Sequence, residues 1–170
     1  MRLFIAVQFD KEIVDELTTF QDELRKIGAI GNYTKEENLH LTLAFIGEYN
    51  DPDAVLEAME RVDFRPFNLK LDGYGMFGDL LWVGTTSEPV LAAIAKKFRH
   101  TLAKAGIIFD NKKFKSHVTL IRKVAFKSDQ RIPAECIGRS EMTVKRISLM
   151  KSERGKNGMN YTELGYISAE

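Results

Sequence analysis

Alternating apolar and polar stretches divide the chain into short strands and amphipathic helices. The apolar run Leu3–Val7 is bounded by polar residues and predicts a buried strand. Across residues 11–28 the apolar positions advance by three and four, which predicts a helix that ends at Gly28. The polar residues that follow predict a loop, and residues 39–47 predict a second strand. The next helix is shorter and has apolar positions at Val55, Met59 and Val62.

The same order of elements continues along the second half of the chain. Residues 67–76 and 80–86 predict two strands joined by a glycine-rich turn. A helix begins near Ser87 and keeps an apolar stripe as far as Leu102, because Pro89 suits a first helical turn. A basic loop follows it. The remaining segments with a strand pattern are 117–121, 143–151 and 160–168, the last two forming a hairpin.

An internal repeat underlies this order. When the chain is shifted by 77 residues without a gap, Leu3–Val7 falls on Leu80–Gly84 and His40–Leu43 falls on His117–Leu120. A duplicated strand, helix and strand predicts two similar lobes that face each other across a pseudo-two-fold axis. We therefore expect the two histidine-containing strands to lie side by side.

The repeat defines the fold class that we expect. It predicts an α+β fold in which two antiparallel sheets flank a central cleft and the helices lie on the outside. The two repeats span about residues 1–50 and 78–127, and together they form one domain over residues 1–170. A content of 44% hydrophobic and 10% aromatic residues excludes a disordered chain.

Each repeat carries one His-x-Thr motif on a predicted strand. Because residues two apart point to the same side of a strand, His40 shares a face with Thr42, and His117 shares one with Thr119. One such pair is usually a structural hydrogen bond, but two pairs at the repeat offset are far rarer by chance. Imidazole exchanges protons near neutral pH, and threonine hydroxyls donate to phosphate oxygens. The motifs thus suit metal-independent chemistry on a phosphodiester.

The charge is unevenly distributed along the chain, although the net charge is only +1. Residues 1–63 carry six basic and 14 acidic side chains, whereas residues 96–127 carry ten basic side chains and one acidic side chain, Asp110. A polyanion is therefore expected near the second motif.

Several residues near this motif are candidates for contact with RNA. Arg122 is the best placed to meet a phosphate, but in a regular strand its odd separation from His117 turns it to the opposite face. It reaches the cleft only if the strand ends or bulges before it. A solvated loop and a phosphate-backbone contact both remain open for the lysines. Stacking on a base and core packing remain open for the two aromatic residues. These lysines are Lys112, Lys113 and Lys115, and the aromatic residues are Phe114 and Tyr33.

Other features exclude alternatives. The pattern G-x-G-x-x-G at residues 73–78 precedes a predicted strand rather than a helix, so we interpret it as a turn or bulge. His100 lies on a helix and is expected at the surface. Cys136 is the only cysteine, so no internal disulfide can form and a cytoplasmic location is expected. The apolar start, Leu3–Val7, is too short for a signal peptide or a membrane span.

In these motifs the chain resembles the 2H phosphoesterases, and within them the RNA 2′,3′-cyclic phosphodiesterases formerly named 2′-5′ RNA ligases. The resemblance covers nearly the whole chain. It rests on the start Met1–Val7, the motifs His40–Gly47 and Ser116–Arg122, and the closing segment from Leu149 to Tyr161. One departure is Ser116, where the resemblance leads us to expect proline.

The resemblance implies hydrolysis of a terminal 2′,3′-cyclic phosphate to a 2′-phosphomonoester. It implies that His117 accepts the proton of water and that His40 donates a proton to the departing 3′ oxygen. Thr42 and Thr119 would hold the phosphoryl oxygens, with Arg122 as a further substrate-binding residue. The expected partner is RNA with a cyclic phosphate end, such as a tRNA fragment. The chain is expected to act as a monomer without cofactor, metal or membrane.

Four other functions remain open. The chain could act on small cyclic nucleotides, or catalyse the reverse ligation of RNA ends through a 2′-5′ bond. It could also be an RNA-binding module with structural histidines. A hydrolytic zinc site would need a third ligand, and the remaining histidine, His100, is on a distant helix.

Overall fold

The computed structural model describes the whole chain, residues 1–170. Its helices are α1 Lys11–Lys26, α2 Pro52–Glu60 and α3 Glu88–Lys104, and single 3-10 turns occur at Glu36–Asn38 and Ala134–Cys136. The strands are β1 Arg2–Gln8, β2 Ala29–Tyr33, β3 His40–Glu48, β4 Phe67–Phe77, β5 Leu80–Thr85, β6 Val118–Phe126, β7 Glu141–Val144, β8 Arg146–Gly155 and β9 Gly158–Ser168.

The strands form two antiparallel sheets that share one plan. The four-stranded sheet has the order β3-β1-β8-β9, and the five-stranded sheet has the order β2-β6-β5-β4-β7. In each sheet the motif-bearing strand lies beside the first strand of its repeat, and two further strands follow. β3 and β6 approach each other where the sheets meet. The predicted α+β fold class, duplicated and with two antiparallel sheets, is therefore confirmed.

The outer elements are exchanged between the repeats. α1 comes from the first repeat but packs on β2 and β7 of the five-stranded sheet. α3 comes from the second repeat but packs on β3 and α2, over the four-stranded sheet. β2 also comes from the first repeat and pairs with β6. Each lobe is thus built from both repeats, and neither is a continuous stretch of chain.

Alternation along β1 separates the core from the cleft. Leu3, Ile5 and Val7 are fully buried in the main core. Phe4 and Ala6 point to the other face of the sheet, where they contact Met150 in a small separate cluster. That face of the sheet borders the cleft and carries His40.

The ungapped repeat is wrong outside the motif strands. Ala6 lies opposite Thr42 in the β1–β3 ladder, whereas Trp82 lies opposite Thr119 in the β5–β6 ladder. Equivalent positions are therefore 76 residues apart in the first strands but 77 in the motif strands. In the helices the matching buried positions are 78 residues apart, as for Phe20 and Phe98. The connecting loops absorb these single-residue changes, so each ladder and helix keeps its own packing.

The predicted polar loop before residue 39 is also wrong in part, because it contains β2. Only Ala29 of this strand is buried, so no apolar alternation announces it. β2 exists through its backbone pairing with β6, which is distant in sequence. The predicted closing hairpin corresponds to β8 and β9, and the residues just before it form the separate strand β7.

The G-x-G-x-x-G segment forms the β4–β5 hairpin, as the strand interpretation predicted. Gly73 and Gly78 have φ of 69° and 61°, in the region that favours glycine. Gly75 lies directly against the indole of Trp82, leaving no room for a Cβ atom. These glycines serve the hairpin and its packing.

Candidate active site

His40 begins β3 and is held by two short contacts. Its Nδ1 lies 2.7 Å from the carbonyl oxygen of Asn38, and its Nε2 lies 2.9 Å from Oγ1 of Thr42. A carbonyl oxygen can only accept a hydrogen bond, so Nδ1 carries the hydrogen. In neutral His40, Nε2 then accepts from the hydroxyl of Thr42. The ring is therefore fixed in orientation and in tautomer.

His117 lies immediately before β6 and repeats this arrangement. Its Nδ1 is 2.7 Å from the carbonyl oxygen of Lys115, the equivalent of Asn38 in the other repeat. The same reasoning puts the hydrogen of the neutral ring on Nδ1. Both imidazoles thus expose Nε2 as the atom that can accept or donate a proton. Thr119 follows His117 on the same face, as the spacing predicted.

Aromatic rings surround both histidines. Phe4 and Tyr161 lie 4.9 Å and 5.2 Å from His40 between ring centroids. Burial lowers the pKa of His40 below its ordinary value, and the nearby His117 and Arg122 lower it further, against the opposing hydrogen bond to Asn38. At neutral pH the free protein therefore favours the neutral imidazole at this position.

Both motifs open into one cleft of about 610 Å³ between the sheets. Three arginines line it and no carboxylate does, so the cleft attracts anions. The lining residues are Arg2, Phe4, Thr34, Asn38, His40, Thr42, Phe45, His117, Thr119, Arg122, Ser152, Arg154, Met159 and Tyr161. The structure therefore brings together all five residues that the sequence nominated, namely His40, Thr42, His117, Thr119 and Arg122.

A β-bulge turns Arg122 into this cleft. Opposite β5, Thr119 pairs with Trp82 and Ile121 pairs with Leu81, so Leu120 is the extra residue. Leu120 and Ile121 are consecutive buried residues, and the alternation resumes one position later. Arg122 consequently shares the face of Thr119, which meets the condition set by the odd spacing.

The first repeat contains the same bulge. Ala44 pairs with Ile5 and Thr42 pairs with Ala6, so Leu43 is the extra residue in β3. This irregularity brings Phe45 to the cleft face, at the position equivalent to Arg122. The duplication thus supplies a cation on one side of the cleft and an aromatic ring on the other.

The contribution of the chain ends to the cleft was not predicted from the sequence. Arg2 comes from β1, and Ser152, Arg154 and Tyr161 come from the β8–β9 hairpin. Burial raises the pKa of the Tyr161 phenol, which keeps its hydroxyl protonated and able to donate. Their strands have the pattern of ordinary sheet elements, and nothing in their spacing indicates that they join the motif strands. The terminal segments that carry the family resemblance were the one available signal.

Other candidates lie away from the cleft. Lys112, Lys113 and Lys115 are exposed and do not line it. Tyr33 donates to the carbonyl oxygen of Ala29 and lies under Arg25, and Phe114 packs against the core. The expectation that His100 is a surface residue is confirmed.

Ser116, the departure from the expected proline, is tied down by hydrogen bonds. Its backbone N–H donates to Oε2 of Glu88 at 2.8 Å, and its hydroxyl lies 2.8 Å from Oγ1 of Thr85. A proline has no N–H and could not make the first bond. The segment entering β6 is therefore fixed by α3 and β5.

No group of three or more histidine, cysteine, aspartate or glutamate side chains is arranged to hold a metal ion. None of the helices combines the length and apolar character needed to span a bilayer.

A duplicated fold that directs one His-x-Thr strand of each repeat into a shared basic cleft defines a phosphoesterase of the two-histidine class. The profile of the family described as "LigT like Phosphoesterase" matches the chain twice, at residues 7–86 and 83–161. The RNA 2′,3′-cyclic phosphodiesterase of Archaeoglobus fulgidus is 33% identical over 129 residues, 72% of each chain. That of Escherichia coli is 31% identical over 131 residues, 71% of each chain. The chain belongs to the LigT-like phosphoesterase family, as its motifs predicted.

Solved structures give the same result for the fold. Escherichia coli LigT complexed with 3′-AMP superposes with a TM-score of 0.83 at 26% identity, covering 99% of this chain and 96% of that one. The protein TT0787 of Thermus thermophilus superposes with a TM-score of 0.81 at 28% identity, covering 99% of this chain and 97% of that one.

Proposed function

We propose that this protein hydrolyses the 2′,3′-cyclic phosphate at RNA ends to a 2′-phosphomonoester, by acid–base catalysis with two histidines and no metal ion. The observation that carries the proposal is the pair of imidazoles with the same tautomer, each bound through Nδ1 to a carbonyl oxygen, at one basic cleft. A phosphodiester that gains a water molecule needs one group to accept a proton and one to donate it.

The names of the relatives support the substrate. Eight of them, from bacteria and archaea, are named RNA 2′,3′-cyclic phosphodiesterase. Escherichia coli LigT has been crystallised with 3′-AMP and with phosphate. A nucleotide phosphate suits the cleft of this chain because three arginines line it.

The reaction assigns one step to each side chain. His117 takes a proton from water, the water oxygen forms a bond to phosphorus, and the bond from phosphorus to O3′ breaks. His40 gives its proton to O3′, which leaves as a hydroxyl. Thr42 and Thr119 donate to the non-bridging oxygens as negative charge grows on them, and Arg122 neutralises part of that charge.

The substrate itself helps to charge His40. In the free protein the lowered pKa of His40 favours the neutral ring, because the ring is buried and faces two positive groups. A bound phosphate brings a negative charge close to the ring, which favours the protonated form. The proton donor is thus prepared when the phosphate occupies the cleft.

The remaining expectations follow from this site. RNA fragments with cyclic phosphate ends, such as those of tRNA, are the proposed substrates. All 14 lining residues belong to one chain, which supports a monomer as the active unit. The single free thiol, Cys136, supports action in the cytoplasm.

Product analysis tests the proposal. A short RNA ending in a 2′,3′-cyclic phosphate is incubated with the protein in EDTA, and the products are separated by chromatography against 2′- and 3′-phosphate standards. We expect the 2′-phosphate alone, formed at an unchanged rate in EDTA. Formation of the 3′-phosphate, or loss of turnover in EDTA, would overturn the mechanism. Turnover of nucleoside cyclic phosphates without turnover of RNA ends would identify a small-nucleotide enzyme instead.

A further inference from the structure

An aromatic shelf, formed by Phe77 and Trp82, lies next to His117 outside the cleft. The ring of Phe77 is 5.1 Å from that of Trp82 and 5.3 Å from that of His117, between centroids. Phe77 is 45% exposed, although it is a large apolar side chain at the end of a hairpin. Neither shelf residue lines the cleft.

The shelf continues the cleft face of the five-stranded sheet. Thr119 lies opposite Trp82 in the β5–β6 ladder, and Trp82 lies opposite Gly75 in the β4–β5 ladder. Phe77 is two residues after Gly75 and therefore points to the same face. The missing side chain at Gly75 lets the indole lie flat against β4. A molecule leaving the cleft past Thr119 meets these rings next.

Positive charge accompanies the shelf. The Nζ atom of Lys115 lies 5.4 Å from the ring of Trp82, over its face. Lys115 is exposed and forms no salt bridge, and Lys113 nearby is exposed as well. Aromatic rings next to unpaired lysines complement the alternation of bases and phosphates in a single-stranded nucleic acid.

From this arrangement we infer that the Phe77–Trp82 shelf stacks a nucleobase of the RNA other than the terminal one, with Lys115 meeting the linking phosphate. The inference rests on the proposed function. In that reaction O3′ leaves towards His40, so the terminal ribose lies on the side of Phe4, Phe45 and Tyr161. The shelf lies on the opposite side, beside His117, and takes a different nucleotide.

Kinetics separate this binding role from simple support of the His117 ring. The value compared is kcat/KM for a tetranucleotide with a cyclic phosphate end, divided by kcat/KM for a nucleoside 2′,3′-cyclic phosphate. Phe77→Leu keeps an apolar side chain against His117 but removes the stacking surface. We expect this ratio to fall about tenfold in Phe77→Leu and to be retained in Phe77→Trp. A ratio equal to that of the wild type in Phe77→Leu would overturn the inference.

Tyr74→Ala is the matched control. Tyr74 is a similarly exposed aromatic residue of the same strand, 42% exposed, but its ring lies near Phe20 of α1. It points away from the shelf because it is an odd number of residues from Phe77. We expect the ratio to be unchanged in this variant, and an equal fall in both variants would contradict a specific shelf.

Trp82 fluorescence tests the shelf without turnover, because Trp82 is the only tryptophan. The wild-type protein is titrated with a tetranucleotide ending in a 3′-phosphate and with adenosine 3′-monophosphate. We expect quenching by the tetranucleotide and little by the mononucleotide. Equal quenching by both, or none by either, would overturn the inference. If cyclic phosphates are not hydrolysed but the tetranucleotide still quenches, the proposed function fails and the shelf stands.

Discussion

At the level of single residues, the hydrogen bond at Nδ1 decides what each histidine can do. His40 and His117 both give this hydrogen to the carbonyl oxygen two residues earlier, so each presents Nε2 to the cleft. The two rings differ in what lies beyond Nε2. Only His40 makes a further contact there, with the hydroxyl of Thr42. The duplicated motif therefore provides two chemically similar groups in different surroundings.

Removing the hydroxyl of Thr42 tests its proposed contact with phosphate. Thr42→Val keeps the side-chain shape but removes the contact to Nε2 of His40 and one donor to the growing negative charge. We expect kcat to fall about 100-fold with little change in the free energy of unfolding. Steady-state kinetics measure the first and urea unfolding measures the second. Thr143→Val, on β7 and away from the cleft, should leave kcat as it is.

The lowered pKa of His40 has a consequence for stability. In the unfolded chain the pKa returns to its ordinary value of 6.5. Between the folded value and 6.5 the unfolded state binds more protons than the folded state, so acid favours unfolding. The free energy of unfolding should therefore decrease as the pH falls below 6.5 and stop decreasing, as far as His40 is concerned, below its folded pKa.

His40→Gln removes this contribution while keeping an amide that can donate to the carbonyl oxygen of Asn38. We expect the wild type to lose more stability than His40→Gln between about pH 7.5 and about pH 5.5. Urea unfolding at the two pH values measures the difference. An equal loss in both proteins would contradict the buried, neutral state of His40, since all other titrating groups are shared.

At the level of elements, local pattern predicted most strands and helices but not their irregularities. The apolar stripes of α1 and α3 and the strands that carry the motifs follow directly from periodicity. β2 escaped because four of its five residues are not buried and its existence depends on a distant partner. The sequence could state that Arg122 needs a bulge to reach the cleft, but only the pairing of β5 and β6 reveals the bulge.

The candidate site divides in the same way. Its two histidines and two threonines are visible as a repeated local motif. Arg2 and Arg154 are separated from these motifs by long stretches of chain and reach the cleft only through the pairing of β1 with β8. Such side chains have no spacing that a single sequence can reveal, because the order of strands in a sheet is set by packing of the whole chain.

Glu16 of α1 holds the segment before β7 against the helix. Its buried carboxylate accepts the backbone N–H groups of Gly138, Arg139 and Ser140 at distances of 2.7 to 3.0 Å. In Glu16→Gln the charge is lost and one acceptor oxygen becomes a donor. We expect the free energy of unfolding to fall by about 1 to 3 kcal/mol.

Urea unfolding measures this change, with Glu12→Gln as the control on the same helix. Glu12 is exposed in the first turn of α1 and bonds to no backbone amide. Its replacement should shift the free energy of unfolding by less than about 0.5 kcal/mol. A loss of similar size in both variants would mean that the contacts of Glu16 do not anchor this segment.

At the level of the whole molecule, exchange of helices and strands between repeats links the lobes. Because α1 covers the five-stranded sheet and α3 covers the four-stranded sheet, neither repeat can bury its apolar face alone. We therefore expect one cooperative unfolding transition. Trp82 fluorescence reports on the five-stranded sheet, and far-ultraviolet circular dichroism reports on all elements. Coincident urea midpoints are expected, and two separated transitions would contradict this account.

The distribution of charge follows the architecture rather than the net charge of +1. The acidic residues of the first repeat lie outside the cleft, since no carboxylate lines it. The arginines come from β1, β6 and β8 and converge on the motifs. An almost neutral chain thereby presents a basic cleft, with the exposed lysines of residues 112–115 beyond its edge.

Above all, we propose that both histidines act in the hydrolysis of a cyclic phosphate. The most direct test is the turnover of a short RNA with a 2′,3′-cyclic phosphate end by His40→Ala and by His117→Ala, in EDTA. Circular dichroism first establishes that both variants are folded. We predict that each single replacement lowers kcat by about 10² to 10⁴ and that the double replacement lowers it little further, because the two groups act in one step. Wild-type turnover by either folded variant would contradict the account.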